Sequence, residues 1–381
     1  MKKRILFRIT PADKGMIQQL IPIIKNIDDN TFDISLLLNY KDKNLLQEIP
    51  ADIDVRFLVK TKSTMSQKTI FYLFLPVIRF LQLQFYWFFP SRIKHKIRKI
   101  PDIEIAFTPS SLRGLLKSPF KNSRKIFWLD GNIIDNYTAD HGRGLIRMMY
   151  RCNATVFGSL HAREAFEDYF GFKIPRSLYI HPYINKEKVL VQSSQRSILI
   201  EDQFSGDTKV FVSVGSLTYD KGYDALLAAH AELLLDGFNH KVVVIGDGNE
   251  YESLRKMIHW LNVEDSFLLV GKKSNPYPYI QAADYYIQPS RYEAYPVILN
   301  EVVALNKPII STATGSVGEL LGQWKTAYLI EFDTSEIKEA MKKFLCDGSL
   351  VKTIEEEQQK FDFHGYNKTI CDQITDLFLT I

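Results

Sequence analysis

Two glutamates, Glu293 and Glu301, stand eight positions apart in the segment RYEAYPVILNE. The preceding DYYIQPS is typical of a buried strand and Pro296 favours a helix start, which predicts Glu293 in a loop and Glu301 in a helix, about 7 Å further along its axis. Backbone N–H groups and the helix dipole bind anions at such a junction. We expect the backbone around Tyr295, Pro296 and Val297 to hold a diphosphate, one carboxylate to contact a sugar and the other a ribose. The alternative is two solvated glutamates near a helix start.

Four further loops follow apolar, strand-like runs in the same half of the chain. VGSLTYDKGYD contains Gly215, Ser216 and Lys221, and a lysine at a helix entrance neutralises phosphate as a point charge. Each loop alone is weak evidence, because a glycine after a strand usually only turns the chain. The other three loops are IGDGNEYESL with Gly246 and Gly248, VGKKSNPY with Lys272 and Lys273, and ATGSVGEL with Gly315, Gly318 and Glu319.

The pattern of elements predicts an α/β protein with two domains. Apolar strands alternate with amphipathic helices after residue 208, which indicates a parallel sheet covered on both faces. The first half repeats the pattern less clearly, with probable strands RILFRIT, FDISLLL, DVRFLV, IEIAF, KIFWL and ATVFGS. Two doubly wound domains facing each other would form a cleft between their strand ends. The predicted bounds are 1–189 for the first domain, 190–207 for a linker, 208–360 for the second domain, and 361–381 for a C-terminal helix returning to the first.

Composition narrows the class of protein. The 381 residues are 46% hydrophobic and 24% charged, as in soluble globular proteins. Three cysteines without paired spacing favour a reducing cytoplasm, and the N-terminus reads as a strand and not as a signal peptide. Residues 1–190 carry 31 Lys and Arg against 17 Asp and Glu, whereas residues 191–381 carry 17 against 27. The basic half therefore favours an anionic partner, either nucleic acid or a membrane.

The second half resembles the nucleotide-sugar domain of retaining glycosyltransferases of family four, which have two facing Rossmann-like domains (the GT-B fold). The family's E-x7-E pattern matches Glu293 and Glu301. Its VG-x5-KG pattern matches Val214, Gly215, Lys221 and Gly222, and its G-x-G loop matches Gly246 and Gly248. The resemblance covers about 150 residues with the motifs in the right order, so it is specific.

The resemblance implies a role for each residue. Lys221 binds the donor diphosphate, Glu301 holds the ribose, Glu293 contacts the donor sugar, and Lys272 and Lys273 approach the base. Two positions depart from the family. Ser216 replaces an arginine that usually contacts the diphosphate, and Ala294 and Tyr295 replace a Gly-Phe pair, which alters the loop that meets the sugar.

The first half is similar to capsule and O-antigen transferases, though less specifically. The resemblance places Gly15 near the donor phosphate. It also aligns WLD, ending in Asp130, with a family triplet that ends in a histidine facing the donor sugar. Asp130 is therefore a candidate catalytic residue, and His141 and His181 are others.

The activity implied is retaining transfer of a sugar from a UDP- or GDP-linked donor to a lipid-linked or polysaccharide acceptor in bacterial cell-surface glycan synthesis, without a cofactor. No metal site is expected, because the only D-x-D, Asp52 to Asp54, stands far from the donor loops. Two alternatives stay open. One is a nucleotide-sugar epimerase of the same fold, and the other is a non-catalytic, membrane-associated scaffold of a glycan assembly complex.

An aromatic stretch and a basic run follow each other at residues 69–99. The segment could be a true membrane span, a buried helix of the first domain or a helix docked on a membrane. We expect docking, with the apolar side toward lipid and five basic residues toward anionic headgroups. The protein would then lie in the cytoplasm on the inner face of the cell membrane. No nucleic-acid motif accompanies the run. The five basic residues are Arg92, Lys94, Lys96, Arg98 and Lys99.

Overall fold

A computed structural model describes most of the chain, which divides into two compact units. The first unit comprises Met1–Tyr183 and Tyr366–Ile381, and the second comprises Ile184–Gly365. The residues described are 2–10, 14–41, 43–59, 83–86, 88–129, 139–195, 204, 206–293, 295–322 and 325–381.

The first unit is built on a seven-stranded parallel sheet in the order β3-β2-β1-β4-β5-β6-β7. Its strands read as apolar runs because helices and loops cover both faces, as expected for a parallel sheet. The strands are β1 Lys3–Ile9, β2 Phe32–Tyr40, β3 Asp54–Val59, β4 Ile103–Ala106, β5 Arg124–Leu129, β6 Ala154–Phe157 and β7 Ser177–Tyr179. The helices are α1 Lys14–Asn26, α2 Lys43–Glu48, α3 Leu112–Leu116, α4 Ala139–Met149 and α5 Leu160–Phe170.

The second unit has a six-stranded parallel sheet in the order β10-β9-β8-β11-β12-β13. The strands are β8 Lys209–Val214, β9 His240–Ile245, β10 Phe267–Leu269, β11 Tyr285–Gln288, β12 Ile309–Thr312 and β13 Tyr328–Ile330. The helices are α6 Lys186–Ser193, α7 Tyr223–Leu235, α8 Tyr251–Leu261, α9 Tyr277–Ala282, α10 Val297–Ala304, α11 Val317–Leu321, α12 Thr334–Cys346 and α13 Gly348–Gln359. The last helix, α14 Phe363–Thr380, belongs to the first unit from Tyr366 onward. Both sheets have the Rossmann order 3-2-1-4-5-6, so the predicted fold class is confirmed.

The C-terminal helix completes the core of the first unit. Ile370, Ile374 and Phe378 on α14 are at most 2% exposed and pack against the sheet. The Phe378 ring meets Phe7 and Phe32 edge-on, at centroid distances of 6.3 and 5.7 Å. The predicted C-terminal crossover helix is therefore present.

A buried ionic cluster lies under the other face of the first sheet. Glu104 is fully buried and accepts hydrogen bonds from Arg8 Nε at 2.9 Å and Nη2 at 2.6 Å. Lys125 and Ser123 contact the other carboxylate oxygen. Burial alone would raise the pKa of Glu104, but Arg8 and Lys125 hold that pKa below its usual value. The cluster fixes β1, β4 and β5 to one another.

Two histidines are buried side by side in the second unit. The His230 Nδ1 and His240 Nε2 atoms are 2.8 Å apart, and His240 Nδ1 lies 2.8 Å from the Phe238 carbonyl. The other His230 nitrogen lies 2.9 Å from Ser266 Oγ. Burial lowers the pKa of His230 to about 3, with a further contribution from His240. Burial also lowers the pKa of His240. Both rings are therefore neutral at physiological pH.

The second unit begins earlier in the chain than the sequence indicated. The linker was predicted at 190–207, whereas the second unit starts at Ile184 and α6 runs through Ser193. The Asn185 side chain accepts from the Lys188 N–H and so starts this helix. At the other end, the first unit resumes at Tyr366, where the sequence placed the returning segment from 361.

Candidate functional site

The strongest candidate site lies where the strand order of the second sheet reverses, between β8 and β11. In open parallel sheets the connections leave opposite faces at this point and open a crevice beyond the carboxyl ends of the strands. The loop after β8 carries Lys221, and the loop after β11 carries Glu293. Sequence reasoning had assigned both residues to one donor site, and the fold places both at this crevice.

Lys221 and Glu293 form an ion pair. Lys221 Nζ lies 2.8 Å from Glu293 Oε1, and the same oxygen accepts from Gln288 Nε2 at 2.6 Å and Ser290 Oγ at 2.7 Å. Glu293 is only 5% exposed. Three donors on one buried oxygen hold the carboxylate in a single orientation, as charge-assisted hydrogen bonds do.

The backbone of Glu293 is fixed as tightly as its side chain. Gly315, in the loop after β12, has a φ of +59°, and a Cβ there would lie 1.5 Å from the Glu293 carbonyl oxygen. The Ser316 N–H donates to the same oxygen at 3.3 Å. Only glycine permits this approach, which explains the glycine-rich loop ATGSVGEL as a support for Glu293.

Arg291 joins the two loops. Its guanidinium donates to both Asp224 oxygens, at 2.6 and 2.7 Å, and Nη1 also donates to the Tyr219 carbonyl at 2.8 Å. The guanidinium lies over the rings of Tyr219 and Phe332, at 4.0 and 4.6 Å from their centroids. Because Tyr219 and Asp224 flank Lys221, Arg291 ties the lysine loop to the glutamate loop.

Glu301 lies on α10 in a separate set of contacts. Its carboxyl group is hydrogen-bonded to the Tyr277 hydroxyl and lies within electrostatic range of Lys188. Burial raises the pKa of Glu301 to about 7, although Tyr277 and Lys188 act in the opposite direction. Burial also raises the pKa of Tyr277, with the charge of Glu301 adding to the shift. The residue remains partly exposed, so a hydroxyl-bearing ligand has access to it.

The charges of both glutamates act on one buried tyrosine, Tyr286. The Tyr286 hydroxyl donates to Gln288 Oε1 at 2.9 Å. Burial raises the pKa of Tyr286, and the charges of Glu293 and Glu301 contribute smaller effects in the same direction. The two glutamates of the E-x7-E pattern therefore lie around the end of β11.

The predicted glycine loops surround the lysine loop. Gly215 directly follows β8, and Ser216 is exposed at the surface of the crevice. Gly246 and Gly248 follow β9, and a Cβ on them would lie 1.8 Å from the Gly215 carbonyl oxygen and 2.3 Å from that of Leu217. The two loops therefore pack backbone against backbone, and the Gly215 and Leu217 N–H groups donate to the Ile245 and Asp247 carbonyls at 3.1 and 3.0 Å.

The remaining predicted residues of the second unit occupy the rim. Lys272 is exposed in the loop after β10. Pro296 caps α10, which begins at Val297, and the Val297 N–H donates to the Tyr295 carbonyl at 3.1 Å. The Tyr295 hydroxyl accepts from Asn300 Nδ2 at 3.0 Å, so this tyrosine folds back onto its own helix.

The site residues predicted in the first unit are placed as follows. Gly15 lies in the first turn of α1, after β1. Asp130 lies outside the described residues, as does the side chain of His141. His181 is described, and its ring stacks on Tyr366 at 6.4 Å with an interplanar angle of 19°. His181 therefore has a structural contact with α14.

The D-x-D segment does not form a cluster of metal ligands. Asp54 begins β3 and pairs with Arg56 at 2.8 Å. Among the described residues, no group of three or more His, Cys, Asp or Glu side chains could hold a metal ion. Within the same part of the chain, no helix is long and apolar enough to cross a membrane.

Sequence reasoning missed the residues that support the two glutamates. Gln288 and Ser290 alternate along the end of β11, and this i, i+2 spacing toward Glu293 is a local signal that could have found them. Arg291, Asp224 and Tyr277 had no such signal, because their partners come from distant segments.

Comparisons with known proteins agree with this geometry. The model of the family "Glycosyl transferases group 1" matches residues 195–361. An uncharacterized glycosyltransferase of Methanocaldococcus jannaschii is 24% identical over 55% of this chain and 53% of its own length. The N-acetylgalactosamine-N,N'-diacetylbacillosaminyl-diphospho-undecaprenol 4-alpha-N-acetylgalactosaminyltransferase of Campylobacter jejuni is 29% identical over 42% of each chain. The chain thus spans about half the length of the curated relatives it matches.

A solved structure matches nearly the whole chain. The Anabaena protein HepE in complex with UDP superposes with a TM-score of 0.70 and 16% identity, covering 98% of this chain and 100% of that one. This likeness confirms the GT-B fold. Residues 195–361 match the group 1 glycosyl transferase model, in agreement with the resemblance to family four.

Proposed function

We propose that the protein is a retaining glycosyltransferase that moves a sugar from a nucleotide-diphosphate donor to a lipid-linked or polysaccharide acceptor in bacterial cell-surface glycan synthesis. The observation that carries this proposal is the Lys221–Glu293 ion pair at the strand-order reversal, with Glu301 eight residues further on. A cation for phosphate and two separately held carboxylates for hydroxyl groups are the groups that a nucleotide sugar requires.

The donor binds along the strand ends of the second unit. Lys221 and the backbone around Tyr295, Pro296 and Val297 take the diphosphate, with Lys272 toward the base. Glu301 accepts from the ribose hydroxyls, and Glu293 accepts from the donor sugar. Because Glu293 already receives three hydrogen bonds on one oxygen, its second oxygen is the one turned to the sugar.

The transfer step needs little covalent work from the protein. The bond between the anomeric carbon and the phosphate oxygen breaks, and the leaving nucleoside diphosphate keeps the electron pair. Lys221 and the same stretch of backbone stabilise the charge that develops on it. The acceptor hydroxyl attacks from the same face, and its proton passes to the leaving phosphate, so the configuration is retained. No cofactor or metal ion takes part in this scheme.

Two names among the similar proteins support the donor and the acceptor. The HepE structure holds UDP, and the Campylobacter jejuni relative is named for a diphospho-undecaprenol acceptor. A UDP- or GDP-linked donor and a lipid-linked saccharide acceptor are therefore the first to test. The proposed location is the cytoplasm, on the inner face of the cell membrane.

The described part of the aromatic stretch supports the membrane placement. Phe85, Phe88 and Phe89 are 46%, 75% and 55% exposed, whereas Ile93 is buried among the first unit's core residues. Residues 60–82, which include most of the stretch, lie outside the described residues. An anionic membrane surface would cover the exposed rings and attract the basic residues that follow.

Titration of the purified protein with UDP- and GDP-sugars tests the proposal. Lys221→Ala and Glu301→Ala are expected to weaken donor binding roughly ten- to a hundredfold, because a hydrogen bond to a charged group contributes about 1.5–3 kcal/mol. Lys256→Ala and Glu252→Ala, at exposed positions on α8, serve as matched controls. Wild-type affinity in both site variants, with the fold intact, would refute the assignment.

The products separate the alternatives. Transfer to an undecaprenyl-diphosphate saccharide with an α-linked product from an α-linked donor supports retaining transfer. Consumption of donor without any acceptor, with isomerised sugar released, identifies an epimerase. Donor binding without turnover on any acceptor identifies a scaffold.

A further inference from the structure

An open pocket of about 800 Å³ lies on the first unit, at the amino ends of its strands. Lys3 and Arg124 begin β1 and β5, and Asp102 directly precedes β4. This edge of the sheet is opposite the carboxyl ends, where Rossmann-like domains bind their substrates. The pocket is therefore separate from the donor site described above.

Lys3 and four further cations line this pocket. Lys94 and Arg98 come from the basic run, and Lys121 and Arg124 come from the turn before β5. These four side chains are exposed, and no carboxylate of the described residues pairs with any of them. Asp102, the acidic side chain in the wall, is engaged by Arg4 at 3.2 Å. Several exposed positive charges around one concavity create a potential that attracts anions.

Apolar side chains stand beside these cations. Ile100, in the pocket wall, is 65% exposed, and Phe88 and Phe89 directly precede the short 3₁₀ helix Pro90–His95 that carries Lys94. Exposed aromatic rings next to basic side chains are typical of surfaces that lie at the boundary between lipid headgroups and acyl chains. A soluble polyanion would leave these apolar side chains exposed to water.

We propose that this pocket is a binding site for the phosphate headgroup of an anionic phospholipid. The inference rests on the membrane placement proposed above, but not on glycosyl transfer itself. The basic run alone gives attraction to any anionic surface. Convergence with Lys121 and Arg124, some twenty residues further along the chain, adds a defined site that holds one headgroup between two segments.

The chain offers a matched control for this distinction. Lys94→Gln with Arg98→Gln removes two pocket charges, and Lys121→Gln with Arg124→Gln removes the other two. Arg92→Gln with Lys96→Gln removes two charges from the same basic run outside the pocket lining. All three double variants carry the same net charge, so diffuse attraction predicts the same loss for each, about fivefold per charge.

Sedimentation of the full chain with phosphatidylcholine vesicles, with and without phosphatidylglycerol, measures the binding. We expect wild type to bind only the anionic vesicles, and both pocket variants to lose at least tenfold more affinity than the control variant. Glycerol phosphate should displace wild type at constant ionic strength, and inorganic phosphate should not. Turnover on a soluble acceptor analogue should be unchanged in all variants, which separates this test from that of the transferase.

Three results would contradict the proposed headgroup site. Equal losses in the three double variants would show diffuse attraction, and displacement by inorganic phosphate as readily as by glycerol phosphate would show a free-phosphate site. Wild type that ignores every vesicle would remove the membrane partner altogether. Thermal unfolding of each variant must match wild type, and single substitutions replace a double variant that does not fold.

Discussion

Arg291 and Asp224 form a two-pronged ion pair, with Nη1–Oδ1 and Nη2–Oδ2 distances of 2.6 and 2.7 Å. The pair joins the loop after β11 to the first turn of α7, on either side of the Lys221–Glu293 contact. Arg291 touches neither of those two side chains. Its position nevertheless decides whether the lysine and the glutamate meet.

Arg291→Lys is therefore expected to weaken donor binding about tenfold while changing stability little. A lysine cannot reproduce two parallel hydrogen bonds, so the Lys221 loop loses its anchor. The stability cost stays below about 1 kcal/mol because the Asp224 side chain is 44% exposed. Donor titration and thermal unfolding measure the two effects. Arg255→Lys on α8 is the control, and unchanged donor affinity in Arg291→Lys would contradict the anchoring role.

Tyr277→Phe should shift the midpoint of the pH dependence of donor binding to higher pH. The pKa of Glu301 is about 7, and the Tyr277 hydroxyl bond keeps it from rising further. A carboxylate accepts from ribose hydroxyls only when ionised, so donor affinity falls as the pH drops below this pKa. Removing the bond raises the midpoint by about one to two pH units, since such a bond contributes about 1.5–3 kcal/mol.

Donor titration between pH 5.5 and pH 9 would show this shift. Tyr279→Phe, two residues further along α9, is the matched control and should leave the midpoint where it is. Identical midpoints in wild type and Tyr277→Phe would mean that the tyrosine does not act on Glu301.

Turnover should survive exhaustive removal of divalent ions. The expectation comes from the lack of a D-x-D sequence in any donor loop, with Lys221 supplying the positive charge that a metal ion otherwise supplies. The measurement is the initial rate in excess chelator, compared with the rate after magnesium or manganese is restored. A rate abolished by chelator and recovered with either ion would overturn metal-independent transfer.

The buried His230–His240 pair should make the protein sensitive to acid. The pKa of His230 is about 3 in the folded protein and about 6.5 in the unfolded chain, so the unfolded state binds more protons below pH 6.5. The contribution of His230 to stability is complete above that pH and falls as the pH is lowered, by about 2 kcal/mol at pH 5.

Glu301 has a raised pKa and acts in the opposite sense below pH 7, so the comparison must be between variants. Denaturant unfolding at pH 7 and pH 5 should show a smaller loss of stability in His230→Asn than in wild type. His259→Asn, at a side chain that is 84% exposed, should lose as much as wild type. Equal losses in all three proteins would contradict a neutral buried pair.

The sequence predicted the fold best where strands were long and apolar. The runs that became β1 to β6 and β8 to β12 were recognised, because burial on both faces leaves an unbroken apolar signal. The three-residue strands β7 and β13 were missed, since most of their residues are only partly buried. The end of α6 was read as linker because LVQSSQ lacks helical periodicity.

The candidate site, like the fold, could be predicted only in part from the sequence. Lys221, Glu293 and Glu301 could be found because each stands next to a strand end or a helix start with its own local signal. The contact of Tyr277 with Glu301 could not be found, because it depends on how α9 and α10 pack beside α6. Arg291 was passed over because its partner Asp224 is 67 residues away along the chain.

The core of the first unit has a consequence for synthesis on the ribosome. Its central cluster includes Ile370, Ile374 and Phe378, which are translated after the whole second unit. The second unit, by contrast, is one continuous segment and can fold as soon as it emerges. The sheet of the first unit must therefore wait, with part of its apolar face uncovered, until α14 has left the ribosome. A truncation that removes Phe378 would leave the second unit folded and the first unit dependent on chaperones.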